Sequence, residues 1–418
     1  MELKRVVVTG LGVVTPIGND VQTMWDAMLQ GKSGAGPITR FDASKFRTQF
    51  ACEVKDFDAS SFMDRAELRK MDLCSEFALY CAKQAMDDAA FDLENENKHR
   101  MGVIWGSGMG GVKSYEENVS SYVSNGNPRF NPFFVPKVIS NMTAGHIAIL
   151  FSLKGVNFTT VSACASSNHA IINAYNYIRL NKADVILTGG SEAAIEVTGI
   201  GGFNAMHALS TRNDEPLTAS RPFSASRDGF VLGEGGGCLV LEEYEHARRR
   251  GAHIYAEIVG TGANDDAYHM TAPDAEGKGA AEVMQLALEE SGLRPSDIDY
   301  INTHGTSTPL GDVAEVNAIK EVFGEYAYKL NISSTKSMTG HLLGGTGAVE
   351  AVASIMAIQH DIIPPTINHQ EGDEDEHIDY KLNFTFNKPQ HRVVNYALSN
   401  NFGFGGHNAC LIFKKPEA

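Results

Sequence analysis

Short runs of β-branched and apolar residues recur along the chain. Each is followed by a stretch in which apolar side chains return every three or four positions. Residues 6–8, 103–105, 158–161, 185–188 and 239–241 have the length and composition of buried strands. Between them, 64–91 and 169–180 carry helical spacing. The same style returns later, with strands predicted at 255–259, 300–302, 397–399 and 409–413 and helices at 279–291 and 346–359. Strands alternating with helices predict α/β layers. The opening apolar run is interrupted by Thr9, Gly10, Thr15 and Pro16, which predicts a strand and a turn and not a signal peptide. No apolar run reaches the roughly 18 residues of a membrane-spanning helix. No Pro, Gly or Ser-rich linker interrupts the pattern. The change of element style near 242–252 is the one boundary, dividing 1–252 from 253–418. The acidic run 371–376 reads as a solvated loop.

Composition narrows the function classes. With 418 residues, 43% hydrophobic and 21% charged, the chain is that of an ordinary globular protein, and length alone suggests two to three domain-sized units. Its net charge of −16 argues against nucleic acid and against an anionic membrane surface, both of which call for a cationic footprint. An acidic partner would need a local basic patch. None of the six cysteines falls in a C-x-x-C pair, so no zinc or dithiol site is expected, and the plain expectation is a soluble protein of a reducing cytoplasm.

Several motifs fail. Gly106-Ser107-Gly108-Met109-Gly110-Gly111 satisfies G-x-G-x-x-G after a predicted strand, but no acidic residue follows about 20 positions on. Its glycines read better as allowing close backbone approach around a site. Walker A, H-E-x-x-H and G-x-S-x-G patterns do not occur. Cys164 stands out. It lies among small residues, Val161-Ser162-Ala163-Cys164-Ala165-Ser166-Ser167-Asn168, where a strand ends and a helix begins. A helix N-terminus favours thiolate, the nucleophilic form. Position alone leaves Cys164 open between a nucleophile and a buried structural thiol. His304, in Asn302-Thr303-His304-Gly305-Thr306, and His341, in Lys336-Ser337-Met338-Thr339-Gly340-His341, both sit in loops past strands. Such loops aim side chains at a common crevice. Together the three form a Cys-His-His set suited to acyl transfer.

These motifs, from Val6-Val7-Val8-Thr9-Gly10-Leu11-Gly12 to Asn401-Phe402-Gly403-Phe404-Gly405-Gly406, resemble the β-ketoacyl-acyl-carrier-protein synthases over nearly the whole chain, most closely the elongating type II enzymes. The resemblance implies a thiolase fold: two similar βαβαβαββ halves in five layers, α-β-α-β-α, forming a single unit that works as a homodimer. It implies decarboxylative Claisen condensation. Cys164 takes an acyl chain from acyl carrier protein, and malonyl-carrier protein extends it by two carbons. It implies no cofactor beyond the carrier's phosphopantetheine arm, and no metal. By the same resemblance, His304 and His341 donate to the enolate oxygen, Lys336 pairs with Glu350, and the backbone amides of Cys164 and Phe402 form an oxyanion hole. Phe402 also gates the glycine-rich loop. Met109, Phe203 and the partner subunit's Phe134 line the acyl pocket. Thr306 and Thr308 meet the pantetheine arm, or else only cap their turn. Arg65, Arg69 and Lys70, on one helix face, and Arg129 form the patch for the acidic carrier.

Three positions depart from the family pattern: Asn168 where glycine is usual, His207 where arginine is common, and His407 where threonine is common. A degradative thiolase would carry a second cysteine in the C-terminal glycine loop, and an initiating synthase would have asparagine in place of His341. A chain-length factor would lack the active cysteine. A polyketide or aryl-polyene ketosynthase keeps every catalytic residue and is the remaining alternative.

Overall fold

A computed structural model describes residues 3–126 and 128–417. Its principal sheet is built from ten strands: β1 (Val6–Val14), β2 (Met101–Gly106), β3 (Asn157–Thr160), β4 (Val185–Glu192), β5 (Gly235–Glu243), β6 (Ala256–Asp265), β7 (Tyr300–Asn302), β8 (Asn331–Ser333), β9 (Tyr396–Gly403) and β10 (His407–Lys414). Their spatial order is β8-β7-β9-β10-β6-β1-β5-β4-β2-β3. Counted outward from the β1–β6 junction, each half runs first, fifth, fourth, second, third. In both halves the second strand lies parallel between the third and fourth. The fifth is antiparallel to the first and the fourth. Within the sheet the two five-stranded units join where Val6–Val8 of β1 pair with Ala256–Ile258 of β6.

The helices repeat in the same way. Leu73–Ala89 (α1), Asn141–Phe151 (α2) and Ser166–Arg179 (α3) follow the first three strands. Lys278–Ser291 (α4), Pro309–Phe323 (α5) and Thr346–His360 (α6) follow β6, β7 and β8. Helices α3 and α6 pack on each other and reach strands of both units, so they form the middle layer. Helices α1 and α2 cover the outer face of one unit and α4 that of the other, with α5 beside α4. This is the five-layer βαβαβαββ repeat. Position explains composition: α6 is buried over Thr346–Ile358, and its apolar residues surround the helix because both faces meet protein.

Two elements differ from the sequence expectation. β1 runs unbroken and buried through Thr9, Gly10 and Gly12. The expected turn comes after the strand, at Thr15–Gly18, and not at these glycines. A Cβ at either position would sit 2.1 Å from a backbone oxygen of α1, so they let that helix lie against the strand. The stretch 64–91 is two helices, a single turn (Arg65–Leu68) and then α1, whose N-cap is Asp72 accepting from the Cys74 amide. Among the described residues no helix is long and apolar enough to cross a membrane.

Candidate active site

Cys164 lies in a one-turn 3-10 helix, Ala163–Ala165, between β3 and α3. Ala163 holds φ at +49°, a left-handed conformation that costs a non-glycine residue free energy and turns the chain sharply into α3. The buried sulfur faces a cavity of about 670 Å³ whose walls include Met109, Phe203, His304, Thr306, Thr308, His341, Phe402 and Phe404.

The two histidines arrive from the other half. His304 follows β7, and its amide donates to Oε1 of Glu315 on α5, with Gly305 N–H on Oε2. His341 follows the turn Lys336–Thr339. Its amide donates to Val231 O, and its carbonyl accepts from Gly233 N–H, so both ends of the residue are fixed. His341 Nε2 stands 3.0 Å from Cys164 Sγ, and Nδ1 stands 2.9 Å from Thr346 Oγ1. The imidazole rings are 5.4 Å apart. The reactive atoms of Cys164, His304 and His341 all lie within 4.8 Å of one another.

Behind them lies a fully buried ion pair, Lys336 Nζ to Glu350 Oε1 at 2.5 Å. Asn401 Nδ2 donates to the other Glu350 oxygen at 2.7 Å and reaches His304 Nδ1 at 3.5 Å. Lys336 and Glu350 thus offset each other's charge while Asn401 connects the pair to the histidine. Burial, reinforced by the Lys336 ammonium, holds both histidines well below the usual imidazole range. They are neutral at physiological pH.

Burial also pushes the Cys164 thiol up to about 12, against the pull of Lys336 and of the Phe404 and Cys164 amides. This corrects the expectation of a resting thiolate. The helix-end charge is small beside the cost of a buried anion. A second correction concerns the oxyanion donors: the glycine-loop amide directed at Cys164 is that of Phe404. The Phe402 ring instead lies 5.6 Å from His304.

Other anticipated residues divide by place. Met109 and Phe203 line the cavity. Phe134 does not line it within one chain; its ring packs on Phe130 and Tyr115 at the surface. Thr306 and Thr308 share a hydroxyl contact of 2.9 Å at the cavity wall, and Thr308 makes no side-chain cap on α5. Arg65 and Arg69 are exposed on one turn, Lys70 is paired with Glu67, and Arg129 is exposed in a separate segment. His207 is at the cavity wall with Arg47 directly against its ring, so a cation remains where the usual arginine is missing. Sequence reading overlooked Asn401, Thr346, Glu315 and Glu192. Each acts on a backbone amide or a ring nitrogen, contacts that no motif spacing encodes.

The comparisons agree with this geometry. Residues 3–247 match the β-ketoacyl synthase N-terminal domain, and residues 255–370 match the C-terminal domain. The chain belongs to the β-ketoacyl synthase family. Among its relatives are the 3-oxoacyl-[acyl-carrier-protein] synthase 2 of Coxiella burnetii, 49% identical over 99% of both chains, and that of a Synechocystis strain, 49% identical over 100% of this chain and 99% of the relative. A solved β-ketoacyl synthase from Burkholderia phymatum superposes with a TM-score of 0.91 at 38% identity, covering 99% of this chain and all of the other. A type II polyketide ketosynthase solved with its acyl-carrier protein gives 0.90 at 34% identity, over the same shares.

Proposed function

We propose that the chain is an elongating 3-oxoacyl-[acyl-carrier-protein] synthase of fatty-acid synthesis. The Cys164–His341 contact of 3.0 Å, with His304 alongside in the same cavity, carries this reading. The Cys164 sulfur attacks the acyl thioester while His341 Nε2 takes the thiol proton and returns it to the departing pantetheine sulfur. The amides of Cys164 and Phe404 face the resulting oxyanion. Malonyl thioester then enters. As CO2 leaves, the neutral imidazoles donate to the enolate oxygen. The carbanion attacks the acyl thioester, and Cys164 departs as a thiolate that takes up one solvent proton, the proton the net condensation consumes. Neutral donors suit a site already holding the Lys336 charge. The 49% identity to the fatty-acid enzymes, against 34% to the polyketide ketosynthase, favours the first over the second.

Thr306 and Thr308 fit the pantetheine arm. Arg65, Arg69 and Arg129 fit the acidic carrier, steering it to an enzyme whose net charge would otherwise repel it. We assign the chain a homodimeric state and a cytoplasmic location. β3 is an edge strand, and Val135, Ile139, Ile149 and Val161 leave large apolar side chains exposed. In such a dimer Phe134 would close the partner's acyl pocket. The reaction needs no metal or cofactor beyond the carrier arm.

Replacing the nucleophile tests the chemistry. Cys164→Ala should retain the circular-dichroism spectrum and melting behaviour of the parent and lose condensation of acyl with malonyl-carrier protein. Condensation at the parent rate would refute the assignment.

A further inference from the structure

The glycine-rich segment Gly106–Gly111 looks in sequence like a cradle for a phosphate. In the structure the anion in the cradle is the protein's own. Glu192, the last residue of β4, is fully buried, and no cation pairs with it among the described residues. Its Oε2 accepts from the amides of Gly108 at 2.7 Å and Gly344 at 3.0 Å. Its Oε1 accepts from the Met109 amide at 3.1 Å and, more weakly, from Ser107 Oγ at 3.4 Å. Two loops that line the cavity therefore meet on one carboxylate. One carries Met109 into the cavity wall. The other is the turn Leu343–Gly345, which begins two residues past His341. The approach requires glycine on both sides: a Cβ at Gly108 or Gly344 would sit 2.9 or 2.8 Å from Oε2.

We infer that Glu192 is a positioning residue that fixes the Met109 loop to the His341 loop and so sets which acyl chain lengths the cavity accepts. The inference rests on the acyl-transfer reading above. A carboxylate has lone pairs for all four donors. An amide turns one of its two acceptors into a donor: nitrogen in the Oε1 place faces the Met109 N–H and displaces Met109, and nitrogen in the Oε2 place faces the Gly108 and Gly344 N–H groups and separates the loops. No cation among the described residues offsets the burial, which pushes the Glu192 carboxyl up to about 7 against the pull of the three amides, so the amide donors carry the compensation.

The test measures acylation of Cys164 by intact mass, using acyl-carrier proteins from short to long saturated chains, and malonyl decarboxylation separately. Glu192→Gln should change the ratio of long-chain to short-chain acylation by at least about fivefold, because a moved Met109 reshapes one wall. Gly108→Ala, whose Cβ presses on the carboxylate alone, should shift the profile without removing a charge and serves if the first variant does not fold. An unchanged length profile in a folded variant, or a loss of equal size at every length, overturns the inference and leaves the enzymatic reading standing. Failure of the parent protein to accept any acyl group overturns both.

Discussion

Cys164 begins a helix, a place that favours anions, yet its buried thiol is held up to about 12 while two neutral histidines stand beside it. The resting site is a hydrogen-bonded neutral pair, and the proton moves only when an acyl group is being transferred. Lys336 is the charge that enforces this, second to burial as a cause of the low histidine affinities for protons. Lys336→Met should move the acid limb of the malonyl-decarboxylation profile to higher pH, since both imidazoles then protonate more readily. It should also destabilise the fold by about 3–5 kcal/mol, because Glu350 loses its buried partner. An acid limb at the parental pH would reject this role. Cys164, His304 and His341 were legible from strand-end loops. The amide of Phe404 was not, because backbone direction at Phe402-Gly403-Phe404 depends on how the strand leaves the sheet.

At the scale of elements, nine of the ten sheet strands and four of the six helices α1–α6 followed from apolar spacing, while β8, α2 and the helices Val21–Leu29, Val112–Asn125 and Val197–Ala205 went unread. The failures have physical causes. β1 passes through glycines that spacing reads as a break, and the helix 309–323 went unread because its buried Asp312 and Glu315 bind backbone amides where a periodic apolar face would be expected. The single turn Arg65–Leu68 was merged into α1 because no apolar gap separates them. Its brevity leaves Arg65 and Arg69 side by side and exposed. Arg65→Glu with Arg69→Glu should weaken carrier-protein binding about tenfold at low salt, a sum of two modest surface contributions. The deficit should shrink as salt screens it. Equal dissociation constants at low salt would show that this turn is not the docking site.

For the whole molecule, the repeat of one topology places nucleophile and histidines on opposite halves, and the active site is where they meet. That junction lies inside one shared core. The length prior of separate domains therefore failed: α3 and α6 belong to both halves. All six cysteines are buried, and burial raises the proton affinity of every one. Above about pH 9 the unfolded chain releases thiol protons that the folded chain keeps. Stability is thus complete below the unfolded thiol value and falls as pH rises beyond it. Melting temperature should be level from pH 7 to about 8.5 and decline steeply by pH 10. A level curve through pH 10 would contradict this protonation state of the core.

The central claim is tested most directly by intact mass of the protein after incubation with acyl-carrier protein, and again after malonyl-carrier protein is added. The account predicts a mass gain of one acyl group on Cys164, then its loss, with a carrier-bound 3-oxoacyl product two carbons longer. A protein that never gains the acyl mass, or that gains it and does not discharge it onto malonyl-carrier protein, would contradict the account.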